Sequence, residues 1–173
     1  FAKSGGGITI SGGEPLVQAR FVSALLRELK KRGINTALDT SGFCETAVLD
    51  SVLSHTDVLL FDIKEIDSLL HSRWTGVSNE RILENLVHVS DYARIHERPS
   101  RIWIRTPVIP GATARADNIR RIGEFIVSRL GGTVERWELC AFNNLCKDKY
   151  ARLGLDWTFK EAGLLSAAFM DEL

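Results

Sequence analysis

The sequence has little cysteine, no net charge and no apolar run long enough to cross a bilayer. Its three cysteines, Cys44, Cys140 and Cys146, are odd in number and lack the arrangement of a disulfide framework. The 22 acidic and 22 basic residues cancel, so no overall field draws the chain to nucleic acid or to an anionic membrane. These absences argue against a disulfide-stabilised, a membrane-spanning or a nucleic-acid-binding protein, and they favour a cytoplasmic one.

What is present is the composition of an ordinary globular domain, with 45% apolar and 25% charged residues. The length is that of one domain, and no linker rich in Pro or Ser divides residues 1–173. The chain begins with Phe1, and a glycine run leads within seven residues into an apolar segment. We therefore expect the sequence to be a piece of a longer protein.

The first structural unit is a short strand followed by a helix. The β-branched run at residues 8–10 ends in the sequence SGGEP. Pro15 suits a first helical turn and Gly33 a left-handed C-terminal cap. The expected apolar face of the helix recurs at four-residue intervals and consists of Val17, Phe21, Leu25 and Leu29.

This strand-then-helix unit repeats along the chain. Further strands are predicted at 36–39, 58–64, 101–109 and 136–142, and helices at 46–54, 79–95, 117–130 and 159–173. Such alternation is typical of parallel βαβ units with right-handed crossovers. The sequence therefore predicts the α/β class, with a barrel and an open sheet both compatible.

Charged residues stand at the ends of these apolar strands. Period-two alternation places Asp62 and Lys64 on the face opposite Phe61, and Asp39 and Arg105 also end apolar strands. One charged residue at a strand end is usually a cap or a solvated side chain. Glu14 adds a fifth charge, and because pockets of parallel α/β folds lie at the carboxyl ends of the strands, the five together predict a lined pocket.

The Gly-Gly turn after the first strand does not fit a phosphate loop. Glu14 would repel a phosphate, and neither the dinucleotide glycine spacing nor a Gly-Lys-Ser/Thr sequence is present. Backbone carbonyls of an exposed glycine turn, with a carboxylate nearby, suit the ammonium group of an amino acid.

Five segments together carry a family resemblance. They are GGGITISGGEP (5–15), LDTSGF (38–43), FDIK (61–64), WTGVSN (74–79) and WIRTPVIPG (103–111). In this order they resemble the activating enzymes of glycyl radical enzymes, the family of pyruvate formate-lyase activating enzyme. These are radical S-adenosylmethionine (SAM) enzymes, and the resemblance covers about residues 4–155.

The resemblance implies a partial parallel (β/α) barrel of the radical SAM type. Its first strand and the Cys-x3-Cys-x2-Cys loop that holds a four-iron four-sulfur cluster would precede this sequence. In this family, one electron from flavodoxin or ferredoxin cleaves SAM to methionine and a 5'-deoxyadenosyl radical. That radical removes a hydrogen atom from a backbone glycine of a partner such as pyruvate formate-lyase.

The resemblance also assigns residues. The methionine end of SAM would be held by Gly12, Gly13 and Glu14, and its amino group by Asp39. A monovalent cation would bind Asp39, Thr40 and the carbonyl of Leu60. Lys64 and Arg105 would lie near the SAM carboxylate and ribose, and Asp62 would face the glycine loop of the partner.

Two departures from the family pattern limit what this sequence does alone. Asn143 stands where the family often has a histidine near the SAM ribose; it can form hydrogen bonds but does not titrate. The cysteines do not replace the cluster motif and are expected to be buried apolar residues, so no catalytic residue is assigned and the piece alone should be inactive. The histidines, including His71, are expected to be surface or helix residues without metal-ligand spacing.

Two alternatives remain open from the residues. One is another small radical SAM enzyme, and the other is a non-catalytic barrel module that binds a partner peptide without a cluster.

Overall fold

The computed structural model describes residues 6–173 and contains five strands that alternate with helices. The strands are β1 (Gly7–Ile10), β2 (Asn35–Thr40), β3 (Val58–Asp62), β4 (Arg101–Val108) and β5 (Val134–Ala141). The main helices are α1 (Ala19–Lys31), α2 (Thr46–Leu53), α3 (Ser68–Thr75), α4 (Glu80–Ile95) and α5 (Ala116–Arg129). After β5 come the short helices α6 (Lys147–Arg152) and α7 (Ala167–Asp171). Gly5, which opens the glycine run, lies outside the described residues.

The strands form one parallel sheet in the order β1-β2-β3-β4-β5. Each strand pairs with its neighbour in sequence, and right-handed crossovers then place every connecting helix on the same face of the sheet. A doubly wound sheet reverses its strand order and carries helices on both faces, which this order excludes. The α/β class is confirmed, and the architecture is a partial parallel (β/α) barrel.

Strand alternation separates an apolar face from a polar one. Leu59 and Phe61 of β3 are fully buried with Ile102 and Ile104 of β4, against the apolar faces of the helices. Asp62 and its neighbours on the other face are only partly buried. Removing a side chain of this size from water stabilises the fold by about 2 kcal/mol, so the core fixes which residues point to the opposite face.

The predicted apolar face of α1 is wrong except at Leu29. Val22, Leu26 and Leu29 are buried, whereas Val17 and Phe21 are 83% and 63% exposed. The reason is a 3-10 turn at Pro15–Gln18 that precedes the α-helix and sets a different phase.

The predicted helix at 159–173 is also mostly absent. Only α7 is helical in that stretch, and the chain before it packs through aromatic rings instead. The ring centroids of Phe159 and Trp74 are 5.8 Å apart, as are those of Phe142 and Trp157.

The sequence pattern also missed α3, whose eight residues are capped by Asp67 and by Gly76 with φ 83°. Within residues 6–173 no helix is long and apolar enough to cross a membrane.

Candidate cofactor-binding site

Charged side chains from three neighbouring strands meet at the carboxyl ends of those strands. Asp62 of β3 is in register with Arg105 of β4, and Asp39 of β2 lies opposite Leu60. Arg105 Nη2 donates to Asp39 Oδ1 and also to Asp62 Oδ1, the latter at 3.1 Å. The guanidinium group of Arg105, on β4, therefore connects the carboxyl ends of β2 and β3.

Two further groups extend this network. Ser11 Oγ donates to Asp39 Oδ2 at 3.0 Å, and Lys64 Nζ lies 3.9 Å from Asp62 Oδ2. Arg105 Nε is buried and has no hydrogen-bond partner within residues 6–173. The network thus retains an unused donor among otherwise paired charges.

The surroundings shift the pKa values of the paired Asp62 and Arg105 through different causes. Burial raises the pKa of Asp62, although Lys64 and Arg105 lower it. Burial acts to lower the pKa of Arg105, but Asp62 and Asp39 outweigh that effect and raise it. Because Arg105 faces two carboxylates it stays charged, whereas Asp62 is the carboxylate that its environment disfavours as an anion.

These side chains line one cavity of about 210 Å³. Its lining comprises Ser11, Gly12, Gly13, Asp39, Thr40, Ser41, Asp62, Lys64 and Arg105. We call it the charged cavity. Of the residues assigned by resemblance, Glu14, Leu60 and Asn143 are not part of its lining.

The glycine turn needs glycine at its first position. Gly12 has φ 151°, a backbone conformation that side-chain-bearing residues rarely adopt. Gly13 follows it, and both residues are exposed at the edge of the charged cavity. The turn therefore presents backbone polar groups, with no side chain in front of them, to whatever occupies the cavity.

Glu14 ties the end of β1 to the end of β2. Its Oε1 accepts from Leu16 N at 3.1 Å and from Thr40 Oγ1 at 2.7 Å. Its Oε2 accepts from Ser41 N at 2.9 Å and from Ser41 Oγ at 2.6 Å. Four donors occupy this carboxylate, so its side chain fixes the turn and does not line the charged cavity.

The groups assigned to a monovalent cation are largely engaged within the protein. Thr40 Oγ1 donates to Glu14 and accepts from Gly42 N at 3.0 Å, and Asp39 is paired with Arg105 and Ser11. Within the described part of the chain, no cluster of three or more His, Cys, Asp or Glu residues could hold a metal ion. The cation site stays a prediction.

A second small cavity continues past Arg105 toward β5. It measures about 210 Å³ and is lined by Asp62, Arg105, Pro107 and Cys140. Asn143 is exposed just beyond β5, where its Oδ1 accepts from Leu145 N at 3.2 Å. The role assigned to Asn143 stays a prediction.

The cysteines differ from their expected burial. Cys44 is half-buried, and burial raises the pKa of its thiol to about 11. Cys140 and Cys146 are exposed, so the expectation of buried apolar cysteines is wrong for both. Neither is an apolar core residue.

Buried asparagines that the sequence reasoning did not assign hold the loops around the site. Asn85 Nδ2 donates to the carbonyls of Gly42 and Cys44, each at 2.8 Å. Asn79 and Asn118 anchor the loop after β3 in the same way, through the carbonyls of residues 64–66. Asn79 ends the WTGVSN segment, the one signal that could have pointed to this anchoring role.

Residues 1–122 match the Radical SAM superfamily, and the chain belongs to that superfamily. The chain is 35% identical over its full 173 residues to the (2S)-3-sulfopropanediol dehydratase activating enzyme of Klebsiella oxytoca, covering 53% of that protein. It is 38% identical over 156 residues, 89% of the chain, to the pyruvate formate-lyase 1-activating enzyme of Escherichia coli (strain K12), covering 60% of it. The chain thus spans little more than half the length of these relatives.

A solved structure supports the same relationship. A domain of pyruvate-formate lyase-activating enzyme from Bacteroides vulgatus ATCC 8482 superposes with a TM-score of 0.76 at 28% identity, over 96% of this chain and 89% of that one. The resemblance to activating enzymes of the radical SAM type is confirmed.

The superfamily implies SAM and a four-iron four-sulfur cluster, and the site fits only the first. The carboxylates and cations of the charged cavity match the ammonium and carboxylate groups of SAM, and Arg105 Nε is a buried donor without a partner in the described chain. No set of cluster ligands exists within residues 6–173. Within residues 6–173, therefore, the lining of the charged cavity fits the charged groups of SAM, and no residues fit the cluster.

Proposed function

We propose that this chain is the SAM-binding part of a glycyl radical enzyme activating enzyme. The intact protein would remove a hydrogen atom from a backbone glycine of a partner enzyme such as pyruvate formate-lyase. The observation that carries the proposal is the meeting of Asp39, Asp62, Lys64 and Arg105 with the Gly12 turn in the charged cavity.

The charge balance of the cavity supports SAM as its ligand. Two carboxylates and two cations face a small volume, so the cavity has little net charge but strong local fields of both signs. The amino-acid end of SAM carries an ammonium and a carboxylate group side by side. A single-sign ligand such as a phosphate would be repelled by half of the lining.

Each residue has a binding or orienting role in this proposal. Asp39 and the backbone of the glycine turn hold the ammonium group, while Lys64 and Arg105 hold the carboxylate and reach toward the ribose. Asp62 faces the glycine loop of the partner. Because the groups lie on strand ends fixed by a packed core, they orient SAM without rearranging during the reaction.

SAM supplies the hydrogen-abstracting chemistry once it is bound and reductively cleaved. The cluster ligands, and contacts with flavodoxin or ferredoxin as electron donor, are proposed to belong to parts of the activating enzyme outside this chain. The chain itself contributes the binding of SAM and the exclusion of water from it.

Calorimetry of SAM binding to the 173-residue chain tests the site. We expect Asp39→Asn and Arg105→Met each to weaken binding at least tenfold, since each removes a charged contact worth about 1.5–3 kcal/mol. Asp91→Asn, which breaks an exposed ion pair with Arg94, is the matched control. Unchanged affinity in both site variants contradicts the proposed SAM site.

Electron paramagnetic resonance on the intact activating enzyme and its partner tests the activity. Asp62→Asn should lower the yield of glycyl radical while leaving SAM affinity within about threefold, because Asp62 faces the partner in this proposal. A non-catalytic peptide-binding module would give no glycyl radical with the unmodified protein.

A further inference from the structure

A buried ion pair joins the loops that follow β3 and β4. Glu65 is only 1% exposed, and its Oε1 accepts from Arg115 Nη2 at 3.1 Å, while its Oε2 lies 3.0 Å from the same nitrogen. Arg115 also donates through Nη1 to the carbonyl of Ala112 at 2.6 Å. Glu65 directly follows Lys64, which lines the charged cavity, so the ion pair lies one residue away from that cavity in sequence.

Stability alone does not account for this pair. Within residues 6–173 the buried Oε2 of Glu65 has no hydrogen bond, and burying a carboxylate with unused acceptor positions is costly. A buried ion pair typically adds little stability over apolar side chains of equal volume. Its consequence in this loop is therefore geometric, because the guanidinium group of Arg115 fixes where Glu65 lies.

The same loop is held on both sides of Lys64. Asn118 Nδ2 donates to the carbonyl of Lys64 at 3.3 Å, and its Oδ1 accepts from Ile66 N at 2.9 Å. Glu65 Oε1 accepts from Asp67 N at 3.0 Å. The backbone that carries Lys64 is thus fixed by side chains whose own positions depend on the loop after β4 and on α5.

The side chain of Lys64 has few constraints of its own. Its Nζ lies 3.9 Å from Asp62 Oδ2, and 38% of the side chain is exposed. An ammonium group on a flexible four-carbon stem takes its direction from the backbone that carries it. The ladder between β3 and β4 reaches only to Asp62 and Arg105, so Lys64 lies two residues beyond it.

We infer that Glu65 and Arg115 are positioning residues that direct Lys64 toward the carboxylate of SAM. This inference rests on the proposed function, in which Lys64 contacts that carboxylate. Neither Glu65 nor Arg115 lines the charged cavity, so both act through the loop and not on the ligand. Residues of this kind, without contact to a ligand, change its affinity by distorting the groups that do touch it.

Calorimetry of SAM binding to the 173-residue chain tests the positioning role. Glu65→Gln keeps an acceptor for Asp67 N but removes the charge that holds Arg115. We expect this variant, and likewise Arg115→Met, to weaken SAM binding about fivefold. Because Arg115 is 35% exposed, Arg115→Met is the variant to use in each experiment if Glu65→Gln does not fold by circular dichroism.

A double-mutant cycle shows whether the effect passes through Lys64. In a Lys64→Met background there is no ammonium group to direct, so Glu65→Gln should change SAM affinity by less than twofold. In an Asp39→Asn background the fivefold loss should persist, because Asp39 lies on β2 and has no contact with this ion pair.

Asp57→Asn is the matched control for a loss of stability without a loss of positioning. Asp57 pairs with Lys30 and Arg98 at the amino ends of the strands, so the variant breaks a partly buried ion pair at the opposite end of the sheet. It should destabilise the fold yet leave SAM affinity within twofold. If it weakened SAM binding as much as Glu65→Gln does, the effect of Glu65→Gln would be one of stability and the inference would be overturned.

The outcome is separable from that of the proposed function. If SAM binds the unmodified chain but Glu65→Gln leaves the affinity unchanged, or lowers it equally in the Lys64→Met background, the positioning role is overturned and the SAM site stands. If SAM fails to bind the unmodified chain, the proposed function fails and the positioning role fails with it.

Discussion

Each end of the sheet has an aspartate beside cations, and the pKa of that aspartate is lowered at one end and raised at the other. At the amino ends of the strands, Asp57 precedes β3 and accepts from Lys30 Nζ at 2.8 Å through each of its oxygens. It also accepts from Thr36 N and Arg98 Nε, both at 2.9 Å. Burial acts to raise its pKa, but these hydrogen bonds outweigh burial and lower the pKa to about 2.

At the carboxyl ends, the pairing of Asp62 is looser. Its cations stand at 3.1 Å for Arg105 and 3.9 Å for Lys64, and burial raises its pKa. The carboxylate of Asp57 has close hydrogen-bond donors on both oxygens at the end of the sheet where it fixes a loop. The carboxylate of Asp62 is less closely paired, at the end where a ligand would enter. Charges left short of partners at one end of a fold are a mark of binding function.

Asp57→Asn should give the largest loss of stability. The substitution leaves Lys30 and Arg98 without their common anion, and breaking a partly buried ion pair of this kind costs about 3 kcal/mol. Urea unfolding at pH 7 measures the change. Asp91→Asn, an exposed i,i+3 pair with Arg94, is the control and should cost less than about 0.5 kcal/mol. Equal effects in the two variants would contradict the structural role of Asp57.

Asn85→Ala should give the second largest loss of stability, because Asn85 holds the loop after β2 at the carboxyl end of the sheet. The change removes the Asn85 amide donor from the carbonyls of Gly42 and Cys44 and leaves the Gly42 carbonyl with only the backbone N–H of Cys44, at a cost of about 2 kcal/mol. Asn144→Ala, at an exposed position, should have no measurable effect on urea unfolding. If Asn85→Ala were equally harmless, the loop after β2 would not depend on this amide.

The pH dependence of the Asp57 effect follows from its lowered pKa. A carboxylate with a folded pKa of about 2 and an ordinary value of 3.8 stabilises the fold fully above pH 3.8 and loses that contribution as the pH falls toward 2. The stability curves of the unmodified chain and Asp57→Asn should therefore converge below about pH 4 in urea titrations at fixed ionic strength. If the difference in the free energy of unfolding between the two proteins stayed constant with pH, the charge of Asp57 would not be what stabilises the fold.

The sequence predicted those features of the fold and site that depend on local periodicity. Alternation along β3 separates Asp62 and Lys64 from the buried Phe61, and repeated βαβ units predict parallel strands, although the order of the strands came only from the structure. The phase of α1 was not predictable, because a 3-10 turn rather than the helix itself begins at Pro15.

The residues that sequence reasoning missed act across long distances in the chain. Asn85 contacts Gly42 and Cys44 more than forty residues away, and no periodic pattern marks such a partner. His71 lies in a helix as expected, but its burial and the contact of its Nδ1 with the carbonyl of Val77 depend on which loops surround it. Tertiary proximity of this kind becomes visible only once the loops are placed.

Asp62→Asn should have the smallest effect and gives the sharpest test of the comparison. The amide loses two loose ion pairs but also loses the burial penalty of the anion, so at pH 7 stability should change by less than about 0.5 kcal/mol. Because the folded pKa of Asp62 is raised, its stabilising contribution is present below pH 3.8 and is lost as the pH rises through the folded pKa. The unmodified chain should therefore lose stability relative to Asp62→Asn as the pH rises above 3.8, a trend opposite in sign to that of Asp57→Asn. A loss at pH 7 as large as that of Asp57→Asn would make Asp62 a structural ion pair, and the two ends of the sheet would then not differ in kind.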